Sequence, residues 1–150
     1  MYKKILAPLD GSQRAEEILD PVEKLAKGYQ AKVLLLQVEE EPLMLGHDEV
    51  IDASTSHDQK QRIRQIESYL SRIENRFQEN GIHSEQYIAC GPLVGTLLAV
   101  AEKERVDLIA LVSNGLDGSY QHMCRSVAAR LLQRSNYPMM VMRNYNRDVI

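Results

Sequence analysis

Two stretches of this chain are apolar runs rather than alternating ones: Ala31–Val38, with Val33–Leu36 at its heart, and Asp107–Val112. A strand with one wet face alternates apolar and polar residues. An unbroken run belongs to a strand buried on both faces, the usual state of a parallel sheet covered by helices. That single feature points to an α/β architecture. Lys4–Leu9 is a further short apolar strand, and it ends in Asp10-Gly11-Ser12, where Gly11 suits a turn and Ser12 suits a helix N-cap. Ala15, Ile18, Leu19, Val22, Leu25 and Ala26 then recur every three or four residues and share one helical face. Pro21 falls inside that pattern, so it either kinks the helix or begins a second segment. Gly28 is placed as the helix C-cap.

The alternation continues. Ile63, Ile66, Leu70, Ile73 and Phe77 form the apolar stripe of a helix from about His57 to Glu79, a core-facing stripe rather than a coiled-coil seam. Ser84–Cys90 carries Glu85 and Gln86 and reads as an edge or partly exposed strand. Gly91-Pro92 opens a helix whose buried face is Leu93, Leu97, Val100 and Ala101. Ser113 to Cys124 is a glycine-containing loop. Arg125–Arg134 is a helix with Val127, Leu131 and Leu132 inward. Tyr137–Met142 is the last strand, with Pro138 at its start. The expected whole is one domain over 1–150, an open, doubly wound, parallel sheet with helices on both faces. Ligands of such sheets sit at the carboxyl ends of the strands. The residues expected there are Asp10-Gly11-Ser12, Val38-Glu39 and Ser113–Gly118.

Composition narrows the function. The 150 residues carry a net charge of −3, with no Trp and one Phe, so neither a basic nucleic-acid face nor a stack of aromatic platforms for bases is expected. The apolar runs fall far short of the ~20 residues that span a bilayer, so no membrane partner is expected. The basic, then apolar, N-terminus stops at Pro8 and Asp10 and reads as a strand rather than a signal segment. Two cysteines, Cys90 and Cys124, form no CxxC and read as reduced, buried thiols of a cytoplasmic protein. His47, His57, His83 and His122 lack metal-ligand spacing and read as surface residues; no metal site is expected. Phosphate-loop, dinucleotide, nucleophile-elbow and zinc-protease motifs are all absent, and nothing supports an enzyme or a catalytic residue. A further acidic stretch, with carboxylates at 39, 40, 41, 48, 49 and 52, reads as a loop beside the cleft that would repel phosphates.

Asp10, after the first strand, reads two ways: as an acceptor for a ribose or adenine group, or as a turn residue capping the following helix. The segment from Asp107 through Gly115 to Arg125-Ser126-Val127 likewise reads as an anion site at a helix start or as an ordinary connection. Order and spacing add to these pieces: Pro8-x-Asp10-Gly11-Ser12, Val38, Gly91-Pro92, Asp107-Leu108-Ile109, Ser126-Val127 and Tyr137-Pro138-x-x-Val141. In these the chain resembles the universal stress protein family over essentially its whole length. The resemblance implies five strands in the order 3-2-1-4-5, an adenine nucleotide alpha hydrolase-like sheet, and a role in stress responses. It also implies a homodimer through the last strand, here Met139, Met140, Val141 and Met142. No other protein partner is identified. A subset of the family binds ATP, and by that resemblance the nucleotide site comprises Pro8, Leu9, Asp10, Val38, Leu111, Val112, Gly115, Arg125, Ser126 and Val127.

That subset carries Gly, two residues, Gly, nine residues, then Gly and Ser or Thr. Here Val112 and Arg125 replace the first and third Gly, while Gly115 and Ser126 are kept. Val112, being β-branched, is expected to resist a positive φ and to crowd a ribose. Arg125 either fills the phosphate pocket or swings out to pair with phosphate. The expected function is a homodimeric, non-enzymatic stress-response regulator with weak or absent ATP binding. The alternative is a regulatory module that takes ATP or AMP in the cleft. No other cofactor is implied.

Overall fold

The computed structural model describes residues 2–40, 53–113 and 127–143. The acidic segment from 41 to 52, Gly115, Arg125, Ser126, Cys124, His47, His122 and the tail lie outside the described residues. In chain order the elements are β1 (Lys4–Leu9), a 3-10 helix (Ala15–Ile18), α1 (Leu19–Tyr29), β2 (Lys32–Glu39), α2 (Ala53–Glu79), β3 (Ser84–Cys90), α3 (Leu93–Lys103), β4 (Leu108–Ser113), α4 (Val127–Arg134) and β5 (Met139–Arg143). The five strands pair in the order β3-β2-β1-β4-β5, every pair parallel. The strand order and the edge position of β3 match the sequence reading.

Alternation along each strand divides the core into two layers. Ile5, Ala7 and Leu9 of β1 join Val33 and Leu35 of β2 and Leu108, Ala110 and Val112 of β4 on one face. Ile18, Leu19 and Val22 cover them from α1 and the turn before it, with Ile66, Leu70, Ile73 and Phe77 from α2. Leu6, Leu34, Leu36, Ile109 and Leu111 face the other way, onto Val94, Leu97, Val100 and Ala101 of α3 and Ala128 and Leu131 of α4. The runs at β2 and β4 are unbroken because both faces are roofed.

Four local expectations resolve or change. Of the two readings of Pro21, a kink and the start of a second segment, the structure favours the second, with the segment starting two residues earlier. The chain turns as a 3-10 helix through Ile18, and α1 begins at Leu19, which places Pro21 in its first turn, where an absent N–H breaks no intrahelical bond. Gly28 is not the cap. The left-handed residue is Gln30, at φ 54 and ψ 43. A side chain there costs about 1–2 kcal/mol, and the N–H groups of Gln30 and Ala31, both donated to the Ala26 carbonyl, offset it. Leu132 is 60% exposed rather than inward. The buried face of α4 is Ala128 and Leu131, and Leu132 lies a further 100° or so around the helix. Cys90 is partly exposed, because it ends an edge strand.

Phe77 is fully buried near the end of α2, and its carbonyl accepts the Ile82 N–H at 2.8 Å, which turns the chain into β3. Phe77→Ala should lower the unfolding free energy by about 3–5 kcal/mol, read as the midpoint shift in urea. A loss under about 1 kcal/mol would mean the layer collapses to fill the gap.

Candidate functional site

The strand order reverses between β1 and β4. The 3-10 helix and α1 leave the end of β1 toward one face, and α4 covers the other. In a doubly wound sheet this is where the crevice opens, above the carboxyl ends of the strands. The strand pairing changes at the same place. β1 pairs with β2 along its whole length, from Lys4↔Lys32 to Leu9↔Gln37. It pairs with β4 only at Ile5↔Leu108 and Leu6↔Ile109. At the base these two strands are clamped: the N–H groups of Lys3 and Lys4 both donate to Asp107 Oδ2 at 2.8 Å, and the Asp107 N–H donates to the Lys4 carbonyl at 2.8 Å.

Backbone alternation explains why the upper pairing stops. The Lys32 N–H donates to the Lys3 carbonyl, so Lys3, Ile5, Ala7 and Leu9 turn toward β2. Lys4, Leu6 and Pro8 therefore turn toward β4. The Ile109 N–H donates to the Pro138 carbonyl beside β5, so Leu108 and Ala110 turn toward β1. The next rung needs an N–H from residue 8 to the Ala110 carbonyl, and Pro8 has none. The ladder ends at the proline.

Above it, β1 turns sharply at Gly11, whose φ of +87 favours glycine. Asp10 is exposed. Its Oδ1 accepts the Ser12 N–H at 2.9 Å and the Ser12 hydroxyl at 2.5 Å, while Ser12 Oγ accepts the Ala15 N–H at 3.1 Å. These are the bonds of a capping turn, and they fix the mouth of the crevice on this side. Beneath the turn sits Tyr69 of α2, which the sequence reading passed over. Its hydroxyl is buried and has no hydrogen-bond partner among the described residues. Burial pushes it up to about 12, and the Glu16 and Asp10 carboxylates add to that; the Gly11 backbone and Arg72 oppose it only in part. The phenol therefore stays neutral near the Glu16 and Asp10 carboxylates. The signal for it was its place between Ile66 and Leu70, which widens the apolar stripe of α2.

At the end of β2, Val33 donates to the His83 carbonyl and Glu39 accepts the Gly91 N–H, so odd-numbered residues turn toward β3. Val38 turns toward β1, and its carbonyl lies beyond Leu9, the last paired residue of that strand. Gln37, also unremarked in the sequence, is 3% exposed. Its Nε2 donates to Glu39 Oε1 at 3.0 Å, and Arg62 of α2 donates to the same oxygen at 2.7 Å.

On the β4 side, Leu111 and Val112 are buried in opposite layers, and both lie on an extended strand that continues to Ser113. No positive φ is required of Val112, and its side chain packs in the layer shared with Leu9 and Ile18, with Met142 as its strand partner. The structure thus brings Pro8, Leu9, Asp10, Val38, Leu111 and Val112 to one end of the sheet, and Val127 opens α4. Gly115, Arg125 and Ser126 lie outside the described residues. At the sheet edge, Met139, Met140 and Met142 of β5 are half-buried and Val141 is 37% exposed.

The model of the universal stress protein family matches residues 1–143. Universal stress protein YxiE of Bacillus subtilis is 26% identical over 152 aligned positions, covering 95% of this chain and all of that one. Among solved structures, a universal stress protein in complex with cAMP superposes with a TM-score of 0.71 at 18% identity, over 96% of this chain and 98% of that one. A universal stress protein family member from Arabidopsis thaliana with AMP bound has a TM-score of 0.69 at 17% identity, over 99% and 95% of the two chains.

If the proline ends the ladder, Pro8→Ala should extend it. The amide introduced at position 8 is then expected to exchange slowly with deuterium, at a rate like that of its neighbours in β1. Fast exchange there would show that something other than the missing N–H ends the pairing.

Proposed function

The chain belongs to the universal stress protein family, and on that premise we propose that it is a homodimeric stress-response regulator, not an enzyme, whose crevice takes an adenine nucleotide by its adenosine end and binds a triphosphate weakly or not at all. It works in the cytoplasm. The observation that carries the reading is the end of the β1–β4 pairing at Pro8, with the Val38 carbonyl beyond the last paired residue of β1. A base placed above β1 meets backbone acceptors that the sheet does not use. The relatives with bound cAMP and AMP support an adenine nucleotide as the occupant.

Weak triphosphate binding rests on the other half of the site. Where the ATP-binding subset has glycine, Val112 continues β4 as a strand, paired with Met142. Isothermal titration should show AMP binding, with Mg-ATP at least about tenfold weaker, a difference of about 1.4 kcal/mol. Micromolar or tighter ATP binding would sink the proposal.

The dimer is proposed through β5. It is a sheet edge, and Val141 on it and Leu132 on the neighbouring α4 are exposed apolar side chains. An open edge with such residues is a pairing hazard that a second copy would cover. Light scattering at micromolar concentration should give twice the chain mass, and Val141→Lys should shift it toward the monomer. A wild-type monomer overturns this part.

A further inference from the structure

The last stretch of the chain is charged unlike the rest of it. Residues 118–147 contain five arginines and no Asp or Glu, in a protein whose net charge is −3. Three of the five, Arg130, Arg134 and Arg143, belong to α4 and β5. None of the three has an ion-pair partner among the described residues, whereas Arg62, Arg72 and Arg76 of α2 are all paired. Arg134 and Arg143 are exposed. A charge asymmetry of this kind marks an interaction surface.

The backbone of β5 settles where two of these arginines stand. The Ile109 N–H donates to the Pro138 carbonyl, so Met140 and Met142 turn their backbone toward β4, and Met139, Val141 and Arg143 turn theirs to the open edge. Side chains alternate with the pleat. Met139 packs in the layer under α4 and Met140 and Met142 in the opposite one, so Val141 and Arg143 stand on the α4 side. Two copies joined by this edge about a two-fold axis run antiparallel. The register that uses every outward backbone group sets Val141 opposite itself and Arg143 opposite the partner's Met139. Opposed side chains are about 5 Å apart at Cβ. Only Ser135–Pro138 separate Met139 from Arg134, the last residue of α4. Such a dimer therefore carries Arg143 to the end of the partner's α4, toward the partner's Arg134, and does so twice. The Ser135 hydroxyl donates to the Leu131 carbonyl at 2.8 Å, which leaves one bare carbonyl fewer at that helix end. Like charges brought together across an interface oppose it unless something neutralises them.

We propose that a free phosphate-class oxyanion bridges Arg143 of one copy and the partner's Arg134 at each end of the joined strands, so that dimerisation depends on it. The inference rests on the dimer reading above. Guanidinium groups suit such an ion because their paired N–H groups match two of its oxygens. Sedimentation equilibrium in sodium phosphate and in sodium chloride of equal ionic strength separates bridging from screening. The dimer dissociation constant should be at least about tenfold lower in phosphate, the size of one charge-assisted hydrogen bond. In Arg143→Gln and in Arg134→Gln that difference should vanish. The dimer in chloride should be no weaker in either variant than in the wild type, because a like charge is gone. Equal wild-type constants in the two salts overturn the proposal, as does a phosphate effect that survives in both variants. A dimer weakened in chloride by Arg143→Gln also overturns it, since Arg143 is then an ordinary contact. If a variant does not fold, the wild-type comparison still decides. A monomer in both salts overturns the dimer reading as well, whereas a dimer indifferent to phosphate leaves that reading standing.

Discussion

The structure turns on the unequal pairing of its central strand. β1 is bonded to β2 from end to end but to β4 only near the base. If it were bonded fully on both sides, the sheet would close where the strand order reverses. If it were bonded on one side only, the two halves of the sheet would be free to slide. The base clamp at Asp107, with one carboxylate oxygen taking two backbone N–H groups, fixes the halves relative to each other. Bonds to a charged acceptor are the stronger kind, about 1.5–3 kcal/mol each where solvent is excluded and less at a partly exposed site such as this. The proline then leaves the upper end unbonded. Firmness below and an unfinished ladder above come from residues four positions apart on the same side of the same strand, Lys4 and Pro8.

The second constraint is α2, which packs over β2 and β3 and reaches the capping turn after β1. Its side chains make a row of ion pairs: Arg62 to Glu39, Arg72 to Glu16, and Arg76 to Asp20 and Glu23. Each has an exposed arginine, so each contributes little to stability. The apolar stripe from Ile66 to Phe77 holds the helix down. What the pairs add is register. Arg62 sets Glu39, Glu39 sets the Gln37 amide, and Arg72 sets Glu16 beside Tyr69. The carboxylates of Glu39 and Glu16 and the Gln37 amide thus take their orientation from α2.

The sheet was legible in the sequence because burial on both faces writes itself as a run. Val33–Leu36 and Leu108–Val112 could hardly be anything else, and the polar Glu85 and Gln86 marked β3 as an edge. The local ends were less legible. Gln30 takes a left-handed cap because two N–H groups converge on the Ala26 carbonyl, which outweighs the presence of a glycine two residues earlier. Leu132 misled because one helix face was assigned to three leucine-like residues when Ala128 and Leu131 fill it. Gln37 was visible as a polar residue inside an apolar run, and that mismatch was the signal. Its meaning depended on Glu39 and on Arg62, twenty-five residues away along the chain, and no local pattern carries that. The candidate positions Gly115, Arg125 and Ser126 lie outside the described residues.

The setting of Val112 bears on the proposed weakness of triphosphate binding. The sequence suggested a steric cause, a side chain crowding the ribose. The structure instead packs that side chain in the layer shared with Leu9 and Ile18. Val112 keeps β4 extended, and the pairing with β5 runs through Val112↔Met142 to Ser113↔Arg143. By alternation Ser113 turns toward β5, as Ile109 does, so its backbone is engaged in the sheet. A glycine at 112 would let the strand end earlier and release the following amides toward an anion, because glycine tolerates the positive φ that such a turn uses. With valine, Ser113 stays in the ladder. The proposed weakness of the phosphate end thus follows from backbone donors held in the sheet rather than from lost space. On the proposed reading this leaves Pro8 and Val38, at the other side of the crevice, untouched, so that an adenosine end and a weak phosphate end are compatible in one crevice.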